Sequence, residues 1–310
     1  MAHHALNPTP ETVHWGYFDA TIPPRLTVDP GDTVTIDTVS GGKLHVEDLS
    51  ILRPDHREIV EKLAPVLGPH ILTGPVAVRG AAPGDTLEVR IKAIELTVDW
   101  GWNVILPLRG TLPEDFPRFE RRLIPIDRKA MTARLAWGAT VPLAPFFGIL
   151  ATAPRPEYGT VSSIEPREFG GNIDNKEFVP GTSLFLPVFV PGANFSAGDG
   201  HAVQGDGEVC LTALETCLRG TFELALHKGE RLEMPRAITP THYITMGFDP
   251  DLDDAAKQAL RDMIRWLVAL KGWQSAEAYV FCSLACDLHV TQLVDGNKGI
   301  HAMVRRALVE

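Results

Sequence analysis

Cysteine is scarce. Cys210, Cys217, Cys282 and Cys286 are the only four, and none forms a Cys-x-x-Cys pair. Buried free thiols are therefore expected in preference to a zinc knot or disulfide, with Cys282 and Cys286 one turn apart on a helix. Basic charge is also short: 29 Lys and Arg stand against 39 Asp and Glu, a formal net charge of −10. No basic stripe interleaves with aromatics, so nucleic acid is not an expected partner. No apolar run approaches the ~20 residues that span a bilayer. The first residues, MAHHALNPTPETVHW, lack the charged and apolar regions of a secretory leader. A cytoplasmic protein without membrane contact is therefore expected. A Gly-x-Ser-x-Gly elbow is missing too.

What is present is a 310-residue chain, 45% apolar and 22% charged, enough for a large core in one big domain or a few modules. The phrase PPRLTVDPGDTVTIDTVS alternates apolar residues around Pro30-Gly31-Asp32. GPVAVRGAAPGDTLEVRIKAI repeats the arrangement around Pro83-Gly84-Asp85. Both read as hairpin-like turns between strands, with Asp32 and Asp85 structural. A short helix is expected from Asp55 to Leu63, capped by Asp55. A long helix is expected from Pro250 to Lys271, capped by Asp249 and ended by Gly272, and a further one from Ser275, as its cap, to about Cys286. Strands come first and helices last, so the fold class is α+β, mostly β. Three stretches are distinguished: a β-rich part over 1–160, a central β part over 161–248 carrying the site loops, and C-terminal helices and strand over 249–310.

The chemistry concentrates after an apolar stretch, Leu184 to Val190. Asp199, His201, Gln204, Asp206 and Glu208 follow within GDGHAVQGDGE. Alternation in an extended segment puts Asp199 and His201 on one side, and likewise Asp206 and Glu208. Gly-Asp-Gly is ordinary turn chemistry, and that explains any one of these residues. Ionisable groups clustered beside a buried strand point instead to a site, and carboxylate plus imidazole suits a divalent metal. A second polar cluster, FGGNIDNKEF, offers Asn172 and Asp174 at alternate positions. His70, after Gly68-Pro69, is a further candidate. Trp100, Trp102, Phe146 and Phe147 are candidate pocket walls in a Pro- and Gly-rich stretch.

The phrases GPVAVRGAAPGDTLEV, FGGNIDNKEF, LPVFVPGANFSAGDGHAVQGDGEV, PTHYITMGF and VTQLVDGNKGIHAM resemble the acetamidase/formamidase family of amide hydrolases along the whole chain. The resemblance extends to members acting on γ-lactams. It implies β-sandwich-like sheets with a smaller C-terminal α/β part, a homodimer or higher assembly, a small-molecule amide substrate and, in some members, a divalent metal. It carries the site onto Asn172, Asp174, His201, Gln204, Asp206, Glu208 and Glu215.

The expected mechanism is amide hydrolysis by metal-activated water. Asp174 and His201 are ligands with support from Asn172 or Asp199, and Glu208, or else Glu215, is the base. Gln204, Asp206, His70 and Trp102 are expected to bind substrate. Zinc is preferred because of the imidazole; calcium fits if oxygen ligands dominate. Two alternatives stand beside this. One is a non-catalytic amide-binding sensor with a structural metal. The other is a serine enzyme using Ser162 or Ser163 with Lys176.

Overall fold

A computed structural model describes residues 1–310. Two large sheets dominate it. The nine-stranded sheet runs in the order His3–Leu6, Thr33–Asp37, Leu218–His227, Thr86–Leu96, Ser183–Pro187, Arg236–Ile238, His242–Asp249, Lys298–Arg305, Cys286–Gln292. It draws strands from all three stretches distinguished in the sequence. The eleven-stranded sheet centres on Phe195–Val203, which pairs with Phe146–Ala151, Leu214–Thr216 and Ile71–Val78. Between the sheets lies a core that includes Val34, Ile36, Leu87, Val89 and Phe222 from one side and Val76, Phe147, Leu150 and Phe195 from the other. The fold is α+β and mostly β, as expected.

The two Pro-Gly-Asp turns are not hairpins. Leu26–Val28 pairs in parallel with Ile71–Val78 in the eleven-stranded sheet, while Thr33–Asp37 belongs to the nine-stranded one. Ile71–Val78 and Thr86–Leu96 divide the same way. Each turn therefore carries the chain across the sandwich. Alternation specifies strands and a reversal between them, but not whether the partners share a sheet. The apolar stretch from Leu184 is also shorter as a strand than its composition suggests. It ends at Pro187, where the ladder loses a donor. Leu184 and Leu186 point inward, and Phe185 is half-buried beside His227.

Three α-helices complete the chain. Helix α1, Pro54–Lys62, begins one residue earlier than expected, with proline in its first turn and Arg53 at the cap position. Helix α2, Leu252–Lys271, is capped by Asp251 rather than Asp249. The Asp251 carboxylate accepts the N–H groups of Asp253 and Asp254, so Pro250 stays outside. Gly272 ends the helix in the left-handed conformation. Its buried face is Ala255, Ala259, Met263 and Leu267, and the larger Leu252, Leu260 and Ile264 flank it. The small residues lie at closest approach because the helix backbone sits on Gly247, where a Cβ would collide with Ala255 O. Helix α3, Ser275–Ala285, is capped by Gln274 in a capping box with Glu277, not by Ser275. No helix is long and apolar enough to cross a membrane. All four cysteines are free thiols.

Candidate functional site

Asp199 and His201 lie on the central strand Phe195–Val203 and share a side, with Asp199 Oδ2 3.2 Å from His201 Nε2. The neighbouring strand places Glu215 opposite His201, with Glu215 Oε1 also 3.2 Å from Nε2. On the other side, Phe146–Ala151 separates this strand from Gly170–Asn172, so the two polar clusters meet across one intervening strand. Gly148 of that strand faces Asp199. Its carbonyl accepts the N–H groups of Ile173 and Asp174 (3.0 and 3.1 Å). This closes a turn that brings Asp174 Oδ1 to 3.8 Å from His201 Nε2. A Cβ at position 148 would run into Asp174, Asp199 and His201. Glycine there keeps the space among them open.

Asp174 (φ 53°), Asp199 (φ 56°) and Glu208 (φ 45°) all hold left-handed backbone conformations. Such conformations cost non-glycine residues energy and concentrate at functional sites. At Gly207 and Glu208 successive positive φ values also break the expected alternation. Asp206 turns outward to Lys176 (2.9 Å) and His289 (3.2 Å), while Glu208 turns inward.

Gln204 fixes the imidazole. Its Nε2 donates to Asp174 O (2.9 Å) and Thr291 O (3.3 Å), so its Oε1 accepts from His201 Nδ1 (2.9 Å). His201 Nε2 therefore faces the three carboxylates either as a lone pair or as the second N–H of an imidazolium. Gln204 is thus a support behind His201 and does not line the cavity.

The carboxylates border a cavity of about 200 Å³. Asn172, Asp174, Asp199, Glu208 and Glu215 form its polar floor. Trp102, Val104, Leu106, Ile71 and Leu211 contribute apolar wall. Trp100 and Phe147 lie elsewhere, and Phe146 packs edge-on against His201. His70 lines the cavity, 4.0 Å from Asp199, and its Nδ1 is bonded to Ser163 Oγ at 2.8 Å. Ser163 is fully buried behind it, and Lys176 is occupied by Asp206, so no serine–lysine pair assembles.

Three site residues escaped the sequence reading. Asp295 lines the cavity next to Asp174, from a turn within VTQLVDGNKGIHAM. His45 stacks on Trp102 (4.1 Å between ring centroids) and accepts the Gly42 N–H at Nδ1, which leaves its neutral ring with a proton on Nε2. Gly148 is the third. Only the Asp-Gly dipeptide at 295–296, inside a resemblance-bearing phrase, offered a signal.

The electrostatics are unbalanced. Burial and repulsion by Asp174 raise Glu208 well above the usual carboxylate range, and burial raises Glu215 to about 8. Burial also raises Asp174. Asp295 is raised well above its usual range by burial, Asp174 and Glu208. Asp199 goes the other way: burial pushes it up, but His70 and His201 outweigh this and hold it low. Burial depresses His201, yet Glu215 and Asp199 overcome it and raise the imidazole well above its usual value. One imidazole cannot neutralise five buried carboxyl groups. Asp174 Oδ1 and Oδ2, His201 Nε2, Glu215 Oε2 and Asn172 Oδ1 are all buried without hydrogen-bond partners. Asp174, His201 and Glu208, and likewise Asp199, His201 and Glu215, present donor atoms within 4.8 Å of one another. This donor set fits a divalent cation.

The family model and the curated relatives make this chain an amidohydrolase acting on carbon–nitrogen bonds other than peptide bonds. The chain belongs to the Acetamidase/Formamidase family, whose profile matches residues 5–159 and 157–304. It is 25% identical to the formamidase of Methylophilus methylotrophus over 310 aligned positions, covering 78% of this chain and 73% of that one. The solved structure of an acetamidase from Bacillus halodurans superposes with a TM-score of 0.84 at 28% identity, covering 98% of each chain. A γ-lactamase from Delftia acidovorans shares the fold, with a TM-score of 0.63 at 22% identity over 99% of this chain and 93% of that one.

Proposed function

We propose that this enzyme hydrolyses small amides such as formamide or acetamide at a cation-assisted centre, with Glu208 moving the proton. The carrying observation is the fixed His201 ring, whose unpartnered Nε2 faces Asp174, Asp199 and Glu215. Asp174, Asp199, His201 and Glu215 would hold a divalent cation, with zinc preferred for the imidazole. A cation there would supply Lewis acidity toward a carbonyl oxygen and toward water.

The chain's own groups supply the rest. Trp102 Nε1 is a buried donor without a partner, and His45 offers Nε2–H beside it. Both suit the amide oxygen. Asn172 Oδ1, a buried acceptor without a partner, suits the amide N–H. Glu208 takes a proton from the attacking water and delivers it to the departing nitrogen, so that amide and water become carboxylic acid and ammonia. A carboxyl group raised above the ordinary carboxylate range suits both halves of this task. The apolar walls keep bulk water out, and the small volume limits the acyl group. A γ-lactam remains within the same chemistry, supported by the shared fold alone.

Ammonia release from formamide, acetamide and a γ-lactam tests this. Glu208→Gln is expected to reduce kcat by about 10²–10⁴-fold with the fold retained. Near-normal turnover in that variant, or full turnover in protein verified to be metal-free, would exclude this centre. We also propose a homodimer, supported by the exposed Tyr279, Val280 and Leu284 on α3. A light-scattering mass of one chain would refute it.

A further inference from the structure

Behind the Glu208 loop, on the side away from the cavity, three potential ligands converge. His289 and His301 are directly opposite on the last antiparallel strand pair, Cys286–Gln292 with Lys298–Arg305, and their rings stack 5.0 Å apart at 9°. The third is Asp206, whose Oδ2 lies 3.2 Å from His289 Nδ1. One donor atom from each of the three lies within 4.8 Å of the others.

Two features distinguish this cluster from a chance surface pair. His301 is fully buried, its Nδ1 is engaged by Thr291 Oγ1 at 2.7 Å, and its Nε2 has no partner. An imidazole oriented through one nitrogen with the other left open is the usual preparation of a metal ligand. The backbone also fixes the third ligand. Gly207 N donates to Thr291 O (3.2 Å) and Leu293 N to Gly207 O (3.0 Å), which tie the Asp206 turn to the strand carrying His289. Lys176 occupies Asp206 Oδ1 at 2.9 Å, leaving Oδ2 toward the imidazoles.

We propose that Asp206, His289 and His301 form a second divalent-cation site of the zinc class, separate from the catalytic centre. Two imidazoles and a carboxylate favour zinc over calcium or magnesium. Asp206 and His289 are about one-third exposed, so the ion enters from solvent and meets one buried ligand. Its binding replaces the His289 Nδ1–Asp206 Oδ2 hydrogen bond, and the neutral imidazole then carries its single proton on Nε2. The bound ion would pin the turn that aims Glu208 into the cavity.

None of the three residues lines the cavity, so this inference and the proposed catalysis fail separately. The test is anomalous diffraction at the zinc edge from crystals of the full chain soaked in zinc chloride, for wild type and His289→Gln. The expected result is a peak bonded to His301 Nε2, His289 Nδ1 and Asp206 in wild type and none there in the variant. The zinc affinity of that site should fall on the order of a hundredfold or more in solution. No peak in wild type, or an equal peak in His289→Gln, overturns the proposal.

Discussion

Three of the four Gly-Asp dipeptides in this chain have two fates. At Gly31-Asp32 and Gly84-Asp85 the carboxylate closes a turn. Asp32 accepts the Ala2 and Asp29 N–H groups and bonds His4; Asp85 accepts from Ala82 N, Gly229 N and Lys228 Nζ. At Gly198-Asp199 the carboxylate faces imidazoles and other acids inside a cavity. The first two stabilise corners of the sandwich. The third belongs to a crowded group of buried acids around one imidazole. Identical local sequence is therefore assigned to structure or to chemistry by what the sheets bring against it.

The sharpest way to break this contrast is through glycine. Gly148→Ala should lower activity by at least about 10²–10³-fold, since its methyl group displaces the atoms meant to hold charge. Gly84→Ala meets nothing within 4 Å and adds only left-handed strain, about 1–2 kcal/mol of stability with activity intact. Turnover and denaturant unfolding of both variants read this out; equal activity losses would remove the distinction.

Next in size is a crossed pair of substitutions. Asp199→Asn should abolish most activity and also lose some stability, because His70 and His201 favour its ionised form in the fold. Asp85→Asn should lose about 1–3 kcal/mol of stability, from its bonds to Gly229 N and Lys228, and keep its turnover. If Asp199→Asn keeps its turnover as Asp85→Asn does, Asp199 is another corner residue.

A smaller effect comes from histidines outside the centre. Burial lowers His14 and His56 to about 4, although each donates to a backbone carbonyl, Tyr17 O and Gly41 O. Their folded values lie below the unfolded value near 6.5, so the unfolded chain binds the extra proton. Stability is full above about pH 6.5 and falls as pH drops toward 4, by up to ~1.4 kcal/mol per pH unit for each histidine. Denaturant melts of His14→Gln and His56→Gln against pH should show flatter acid limbs. The smallest effect is expected at Ser163, which orients His70. Ser163→Ala should lower kcat by roughly tenfold or less and shift the pH–rate profile; an unchanged profile would remove His70 from the centre.

Much of this arrangement was legible in the sequence. Asp174, His201, Glu208 and Glu215 were named from clustering and resemblance, and the fold brings all four together. Asp295 and His45 were not, because each sits in a segment whose local pattern is an ordinary turn or loop. Their position is set by which strand lies beside them. Asp206 was misplaced for a local reason: alternation fails where Gly207 and Glu208 both adopt positive φ. The same limit affected the Pro-Gly-Asp turns, where periodicity specifies strands without specifying the sheet they join.

The division between floor and wall of the cavity has a practical consequence. Asp199, His201 and Glu215 sit on hydrogen-bonded strands in the middle of a sheet, whereas Leu44, Leu106 and Leu211 reach the cavity from connecting segments. Randomising those three leucines should retune which acyl groups are accepted without rebuilding the reactive core, and it marks where a library for new substrates should begin.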